Sequence, residues 1–156
     1  MKRLLFCLVF APALMLGCAH FIPGTQIADT ADTRAVLAVL GKMRTALEAR
    51  DADALIALVS HAFFEDLGDD NPSNDYGYRD LQERILPQSL AVAKEIHVDF
   101  DIHDIVISGD HATADIRYRS RAQLDLPAGT RWDSHREFDR IEMVREQSTW
   151  KIVKGL

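Results

Sequence analysis

The chain has 156 residues, 47% of them hydrophobic and 27% charged, with a formal net charge of −6 when histidine is neutral. That length builds one compact domain with a real core and falls short of two ordinary ones. The acidic balance counts against nucleic acid or anionic headgroups as the main partner, since both are held by basic patches.

Lys2 and Arg3 open the chain with positive charge, and an apolar run from Leu4 to Leu16, interrupted only by Pro12, follows them. These are the regions of a secretory signal, and the run is too short to cross a hydrocarbon layer of ~30 Å as a helix. Met15-Leu16-Gly17-Cys18 resembles a bacterial lipobox, in which the cysteine is lipidated and the peptide before it removed; Met15 and Leu16 depart slightly from the usual pattern. The competing readings are an ordinary cleaved signal and a buried apolar segment. Cleavage after Gly17 leaves 139 of the 156 residues and, by removing Lys2 and Arg3, takes the net charge from −6 to −8. Cys7 leaves with residues 1–17, so Cys18 is the only mature cysteine. That excludes an intramolecular disulfide, a thiolate metal site and a cysteine nucleophile. Acylation of Cys18 disposes of an otherwise free exported thiol and makes the membrane a partner through a lipid anchor. Ala19, where aspartate would favour inner-membrane retention, points to the periplasmic face of the outer membrane within the cell envelope.

Residues 18–31 read as the lipidated cysteine and a flexible tether, because Pro23, Gly24 and small polar residues show no helical period. The domain proper spans 32–156. Asp32 or Thr33 is placed to cap a first helix ending near Arg50, with Val36, Leu40, Met43 and Leu47 forming one apolar stripe. Asp51 caps a second helix, whose buried side holds Leu55, Ile56, Leu58, Val59, Ala62 and Phe63. Residues 66–77 are acidic and rich in Gly, Asn and Pro, which predicts a loop. A third helix is expected over about Arg79–Leu86, stopping before Pro87.

From Ile96 the period becomes two. Ile96, Val98, Phe100 and Ile102 alternate with His97, Asp99, Asp101 and His103. A turn at Gly109-Asp110 leads into a strand in which Ala112, Ala114, Ile116 and Tyr118 share a face. The apolar phase slips from even positions to odd ones, Ile105 and Ile107, which predicts a β-bulge near His103-Asp104. Further strands are expected at about Arg131–Arg145 and Trp150–Lys154. The fold class is α+β: about three N-terminal helices packed on a strongly curved antiparallel sheet.

Three stretches carry a family resemblance. Ala46–Ser60, ALEARDADALIALVS, resembles the helix–Asp–helix corner of the nuclear transport factor 2-like superfamily, which includes SnoaL-like proteins. Asp104–Ser120, DIVISGDHATADIRYRS, resembles its central hairpin, and His135–Leu156 its last two strands with a Trp-Lys-Ile close. The resemblance implies a cone whose helices close one side of a bent sheet around a pocket. It covers isomerases, dehydratases, epoxide hydrolases and non-catalytic binding domains, so it does not select a function.

The candidate chemistry follows from which faces point inward. His97, Asp99 and Asp101 fall opposite Arg117, Arg119 and Arg121 on the outer face, where cross-strand charge pairing explains them. That face is left to solvent or to a second copy, which makes a homodimer through the sheet one expected arrangement. If Ile141 and Met143 face the core with Trp150 and Ile152, the same parity turns His135, Glu137 and Asp139 inward, where a histidine and carboxylates can bind a ligand or move protons. A bulge that turned Phe138 inward would send the three to solvent. His61, Tyr76 and Tyr78, around the loop after the second helix, are candidate pocket residues, with core-rim cover as the plainer alternative. Asp69-x-Asn71-x-Ser73-x-Asp75 with Asp80 loosely resembles a calcium loop. It lacks glycine at the sixth position and contains Pro72, so no metal and no cofactor is expected. The balance favours a lipid-anchored envelope protein whose domain binds a small apolar molecule or an envelope protein without catalysis. The alternatives are a small isomerase, dehydratase or hydrolase using a pocket histidine and carboxylate, and a structural lipoprotein.

Overall fold

The computed structural model describes residues 20–156, so cleavage after Gly17 and acylation of Cys18 lie outside the described residues. Residues 20–29 are not the free tether expected there. Phe21 and Ala28 form an antiparallel bridge, Ile22 N donates to Ile27 O at 2.9 Å, and the Thr25 hydroxyl donates to Ile22 O at 2.9 Å. The hook so closed pushes Ile27 into the core, where it is 2% exposed. Burial of Ile27, worth about 1.5–3 kcal/mol, acts with the hook's own hydrogen bonds, the packing of Ile22 on the core and the Asp29–Arg34 pair to offset the cost of ordering.

Helix α1 (Ala31–Ala49) begins at Thr30 rather than at Asp32 or Thr33. Thr30 Oγ1 accepts from Thr33 N at 3.1 Å and Thr33 Oγ1 accepts from Thr30 N at 2.9 Å. This is a capping box in which a threonine replaces the usual Glu or Gln, hence its weak trace in the sequence. Val36, Leu40 and Met43 are buried as expected, joined by Val39 and Ala46. Arg50 ends the helix in the left-handed region, and its guanidinium donates to Ala93 O at 2.8 Å.

Asp51 caps α2 (Ala52–Ile56), its carboxylate accepting from Ala54 N at 2.9 Å. This helix is shorter than its apolar pattern implies. Leu55, Val59 and Phe63 are buried, but Ala62 is exposed and Ile56 and Leu58 are half-buried. The backbone there is claimed by a strand: Ile152 N donates to Leu58 O at 2.9 Å and Ser60 N to Ile152 O at 2.8 Å. Next, β1 (Phe64–Glu65) pairs with β2 (Tyr76–Gly77) and closes the acidic loop. In that loop Asp66, Asp69 and Asn71 each accept from the backbone N–H two residues on, so these side chains shape turns.

The expected stop before Pro87 is overturned. Tyr78–Asp80 (α3), a π-helical turn over Leu81–Ile85 and Leu86–Ala91 (α4) run on from one another. Leu86 N reaches back five residues to Leu81 O. That widened turn makes room for a proline that has no N–H to give and whose ring crowds the preceding turn.

Strands β3 (Ala93–Ser108), β4 (His111–Leu126), β5 (Gly129–Glu146) and β6 (Thr149–Lys154) form one antiparallel sheet in that order. The expected bulge is present: Ile102 pairs with Ile116 and Asp104 with Asp115, leaving His103 as the extra residue. Val98 before it and Ile105 after it are therefore both buried despite opposite parity. Pairing of β4 with β5 is unbroken from His111↔Val144 to Leu126↔Gly129, so nothing rotates Phe138 inward, and it is 72% exposed. Ile141, Met143, Trp150 and Ile152 fill the core against α1 and α2. On the outer face Arg117 pairs with Asp101 at 3.3 Å, Arg119 with Asp99, and Arg140 with Asp115 at 2.6 Å. Exposed pairs of this kind are screened by solvent and contribute little to stability.

Candidate functional site

The concave face of the sheet is not filled by the helices. A cavity of about 230 Å³ lies between Met43 and Leu47 of α1 and Ile116, Tyr118, Glu137, Asp139 and Ile141 of the sheet, with Gly155-Leu156 along one side. It shares Glu137, Asp139 and Gly155-Leu156 with an outer vestibule of about 500 Å³, bordered by Glu65, Leu67, Tyr76 and Lys154. The inner end is apolar and the wall towards the vestibule carries the charge.

Strand parity places the acids there. Ile141 and Met143 must face the core, so Asp139 and Glu137 face the same way, beside their β4 partners Ile116 and Tyr118. Asp139 is half-buried and accepts from Arg140 N at 2.7 Å. Burial pushes its carboxyl above the ordinary aspartate value; the Arg140 N–H opposes this, and Glu137 and Glu65 add to it. Burial also raises the Tyr118 phenol, with the Ser120 hydrogen bond opposing and Glu137 and Asp139 adding. The Tyr76 phenol is raised by burial and then by Glu65 and Asp139, and its O–H donates to Leu156 O at 3.1 Å.

The side formed by Gly155-Leu156 is fixed by two devices. Glu65, 7% exposed, accepts from Gly155 N at 2.8 Å and from Leu67 N at 3.1 Å. Gly155 has φ 88°, and a Cβ there would stand 2.4 Å from Arg140 O, so only glycine lets this segment approach β5 so closely.

Of the residues expected in the pocket, Tyr76, Glu137 and Asp139 line the cavity or its vestibule. His135 stands at the rim. Its Nε2 is 3.0 Å from Glu137 Oε2, but the two side chains are 59% and 48% exposed, so the pair works in water. His61 and Tyr78 stack on each other with centroids 4.3 Å apart and are not among the residues lining these two walls. Tyr118 and Glu65 were not singled out from the sequence. Tyr118 was legible by alternation with Ile116, whereas nothing local marks Glu65 as buried. Among the described residues no three His, Cys, Asp or Glu side chains are grouped to hold a metal ion. The arrangement offers a ligand an apolar end, a phenol, and a carboxyl poised to accept a hydrogen bond or a proton.

A domain of this kind, helices closing a bent antiparallel sheet over a pocket with inward polar groups, has clear likenesses among solved structures. A candidate aromatic ring hydroxylase from Novosphingobium aromaticivorans matches with a TM-score of 0.67 and 15% identity over 80% of this chain and 85% of that one. A candidate dehydratase of the nuclear transport factor 2-like family from Streptomyces avermitilis matches at 0.63 and 17% over 80% and 93%. A candidate ketosteroid isomerase from Shewanella frigidimarina matches at 0.60 and 12% over 78% and 92%. No family model matches the sequence, and no curated protein matches it either. The fold is that of the nuclear transport factor 2-like superfamily.

Proposed function

We propose that this is a ligand-binding domain, held at the periplasmic face of the outer membrane by a lipid on Cys18, that takes a small, mostly apolar molecule without converting it. The observation that carries the reading is the cavity of about 230 Å³ with Tyr118 and the half-buried Asp139 on one wall and no histidine within it. An apolar body enters between Met43, Leu47 and Leu156, and a hydroxyl or carbonyl meets Tyr118 and Asp139. The vestibule extends the space to what a ligand larger than the inner cavity needs.

The second reading is a small isomerase or dehydratase. Two observations favour it: the raised Asp139 carboxyl, suited to accept a proton, and candidate enzymes of both types among the structures of this fold. Against it, the one histidine–carboxylate pair near the site lies at the rim, open to water.

A thermal-shift screen of small apolar acids, steroids and polyketide-like compounds tests the binding reading. A ligand at 100 times its Kd stabilises by about 2.7 kcal/mol, and Asp139→Asn or Tyr118→Phe should weaken the shift while His61→Ala leaves it. A hit whose shift is unchanged in Asp139→Asn and Tyr118→Phe removes this cavity from the reading. Conversion of the hit, detected by mass spectrometry and lost in Asp139→Asn, would instead establish the enzyme. Labelling with a radioactive fatty acid tests the anchor: equal incorporation into Cys18→Ser and the parent chain sinks it.

A further inference from the structure

Strand β5 has one edge on β4, while its other edge meets β6 only over Glu142–Glu146. Beyond that, Gly155 passes Arg140, and among the described residues no strand pairs with the outer edge of residues 129–141. Residues 129–138 are all exposed. The edge has no proline, no lysine and, against β4, no bulge, and its guards are the charges Arg131, Asp133, Arg136 and Glu137, which deter any strand that does not bring opposite charges against them.

Its hydrogen-bonding direction follows from the two hairpins. The pair Leu126↔Gly129 closes a two-residue turn, so odd residues of β5 exchange hydrogen bonds with β4. The pair Glu146↔Thr149 closes another, so even residues direct theirs towards β6. On the free edge, therefore, Thr130, Trp132, Ser134, Arg136 and Phe138 present unpaired N–H and C=O groups. Such an edge accepts only a strand that matches it in register.

We propose that the match is a second copy of the same edge, paired antiparallel about a two-fold axis through Ser134, so that two sheets become one of eight strands. Overlap and charge together select this register: the slide of four residues that sets Arg131 against Asp133 pairs only residues 129–135, whereas this one pairs 130–138. With Ser134 opposite Ser134, Asp133 faces His135, Arg131 faces Glu137 and Trp132 faces Arg136, each twice. Sliding the pairing by two residues one way sets Asp133 against Glu137, and the other way sets Asp133 against Asp133; cross-strand like charges weigh against both. Registers one residue away would bring odd residues, whose groups are already bonded to β4, against even ones.

The pairing completes the site. Arg131 and Glu137 both lie on the inner face, so Arg131 of the second copy comes beside Glu137 at the mouth of the cavity. It supplies an unengaged cation to a wall that otherwise holds Glu65, Glu137, Asp139 and Glu142, with Arg140 already paired to Asp115 at 2.6 Å and Lys154 to Asp66 at 2.7 Å.

The experiment uses the full chain in detergent, with Cys7 and Cys18 changed to serine and one thiol introduced by Asp133→Cys in one preparation and His135→Cys in another. Asp133 and His135 of the two copies form a non-hydrogen-bonded pair with Cα atoms ~4.5 Å apart, inside the disulfide range of ~4.4–6.8 Å. Mild oxidation should give a dimer band from the mixture and none from either preparation alone. A band from His135→Cys alone means the other register and overturns the proposal, as does a mixture that stays monomeric. Sedimentation provides the second arm: Arg131→Glu should weaken the dimer about tenfold or more, from two lost pairs of up to ~1 kcal/mol each, and Arg131→Glu with Glu137→Arg should restore it. A double variant as weak as the single one overturns the pairing. Neither arm uses the ligand, so its outcome is independent of the binding reading.

Discussion

Trp150 should be replaceable by phenylalanine but not by alanine. Its side chain is 2% exposed, and its Nε1–H is buried without a hydrogen-bond acceptor. Burial of a tryptophan removes ~150–250 Å² from water, which at ~25 cal/mol/Å² is worth about 4–6 kcal/mol. The unaccepted N–H returns ~1–3 kcal/mol of that as desolvation. The guanidinium of Arg145, 4.4 Å from the ring centroid, restores part of the loss. Trp150→Ala should therefore cost about 3–5 kcal/mol, in line with large-to-small changes at aromatic core sites. Trp150→Phe gives up part of the ring area but also the orphan donor, and the two nearly cancel, leaving a cost below ~1.5 kcal/mol. Urea unfolding followed by far-ultraviolet circular dichroism reads both without relying on tryptophan emission. A cost below ~1 kcal/mol for alanine would contradict the assigned core face. A phenylalanine variant as damaged as the alanine one would show that the indole N–H has a partner.

Asp139→Asn should raise Tm at neutral pH, since Asn keeps an acceptor for Arg140 N while removing a charge that burial disfavours. A carboxyl raised above its ordinary 3.8 binds its proton more tightly when folded. It therefore weighs against folding above its folded value, and the cost is relieved as pH falls through that value towards 3.8. The gain from Asp139→Asn should accordingly shrink on acidification, and a Tm gain that grows in acid would refute the assignment. Ile27→Ala should cost about 2–4 kcal/mol and abolish amide protection at Ile22 and Ile27; a loss under ~0.5 kcal/mol would mean the hook is not part of the folded unit. Deleting His103 should expose either the buried Ile105 with the half-buried Ile107, or the buried Val98 with the half-buried Phe100 and Ile102, at up to ~1.5–3 kcal/mol for each buried side chain and less for the others. That is a large fraction of a typical ~5–15 kcal/mol stability, and a deletion variant that still melts cooperatively within a few degrees of the parent would rule out the bulge.

Side-chain parity made the sheet readable. The slip from Ile102 to Ile105 located the bulge near His103-Asp104 because a strand with one buried face cannot change phase without it, and the pairing identifies His103 as the extra residue. The same logic, anchored on Ile141 and Met143, turned Glu137 and Asp139 inward. Where the structure departs from the sequence pattern, the cause is tertiary. Leu58–Ser60 give up helical geometry because Ile152 takes their backbone groups. Pro87 stays within helical backbone behind a π turn that no local signal announces. Ile27 stands in a short segment with neither helical nor strand period, and periodicity cannot register a single buried side chain. His61 and Tyr78 were grouped with Tyr76 by nearness in sequence, yet only Tyr76 faces the vestibule. Glu65 is buried through its contact with Gly155, ninety residues away in the chain.

The placement of the acids argues against a purely structural domain. Glu137 and Asp139 continue the face that holds Ile141 and Met143, and apolar side chains there would fill the cavity of about 230 Å³ against Met43 and Leu47. Such filling would add burial at ~25 cal/mol/Å² and remove the cost of a half-buried carboxyl. The chain instead keeps the space open with acid on its wall, and Gly155 and Glu65 hold its side in position. A fold that gives up stability at one concave spot, while packing Ile116, Ile141 and Met143 to near-complete burial around it, has the pattern expected of a site. The raised carboxyl of Asp139 is the local sign of that trade. A bound hydroxyl would give it a second donor beside the Arg140 N–H.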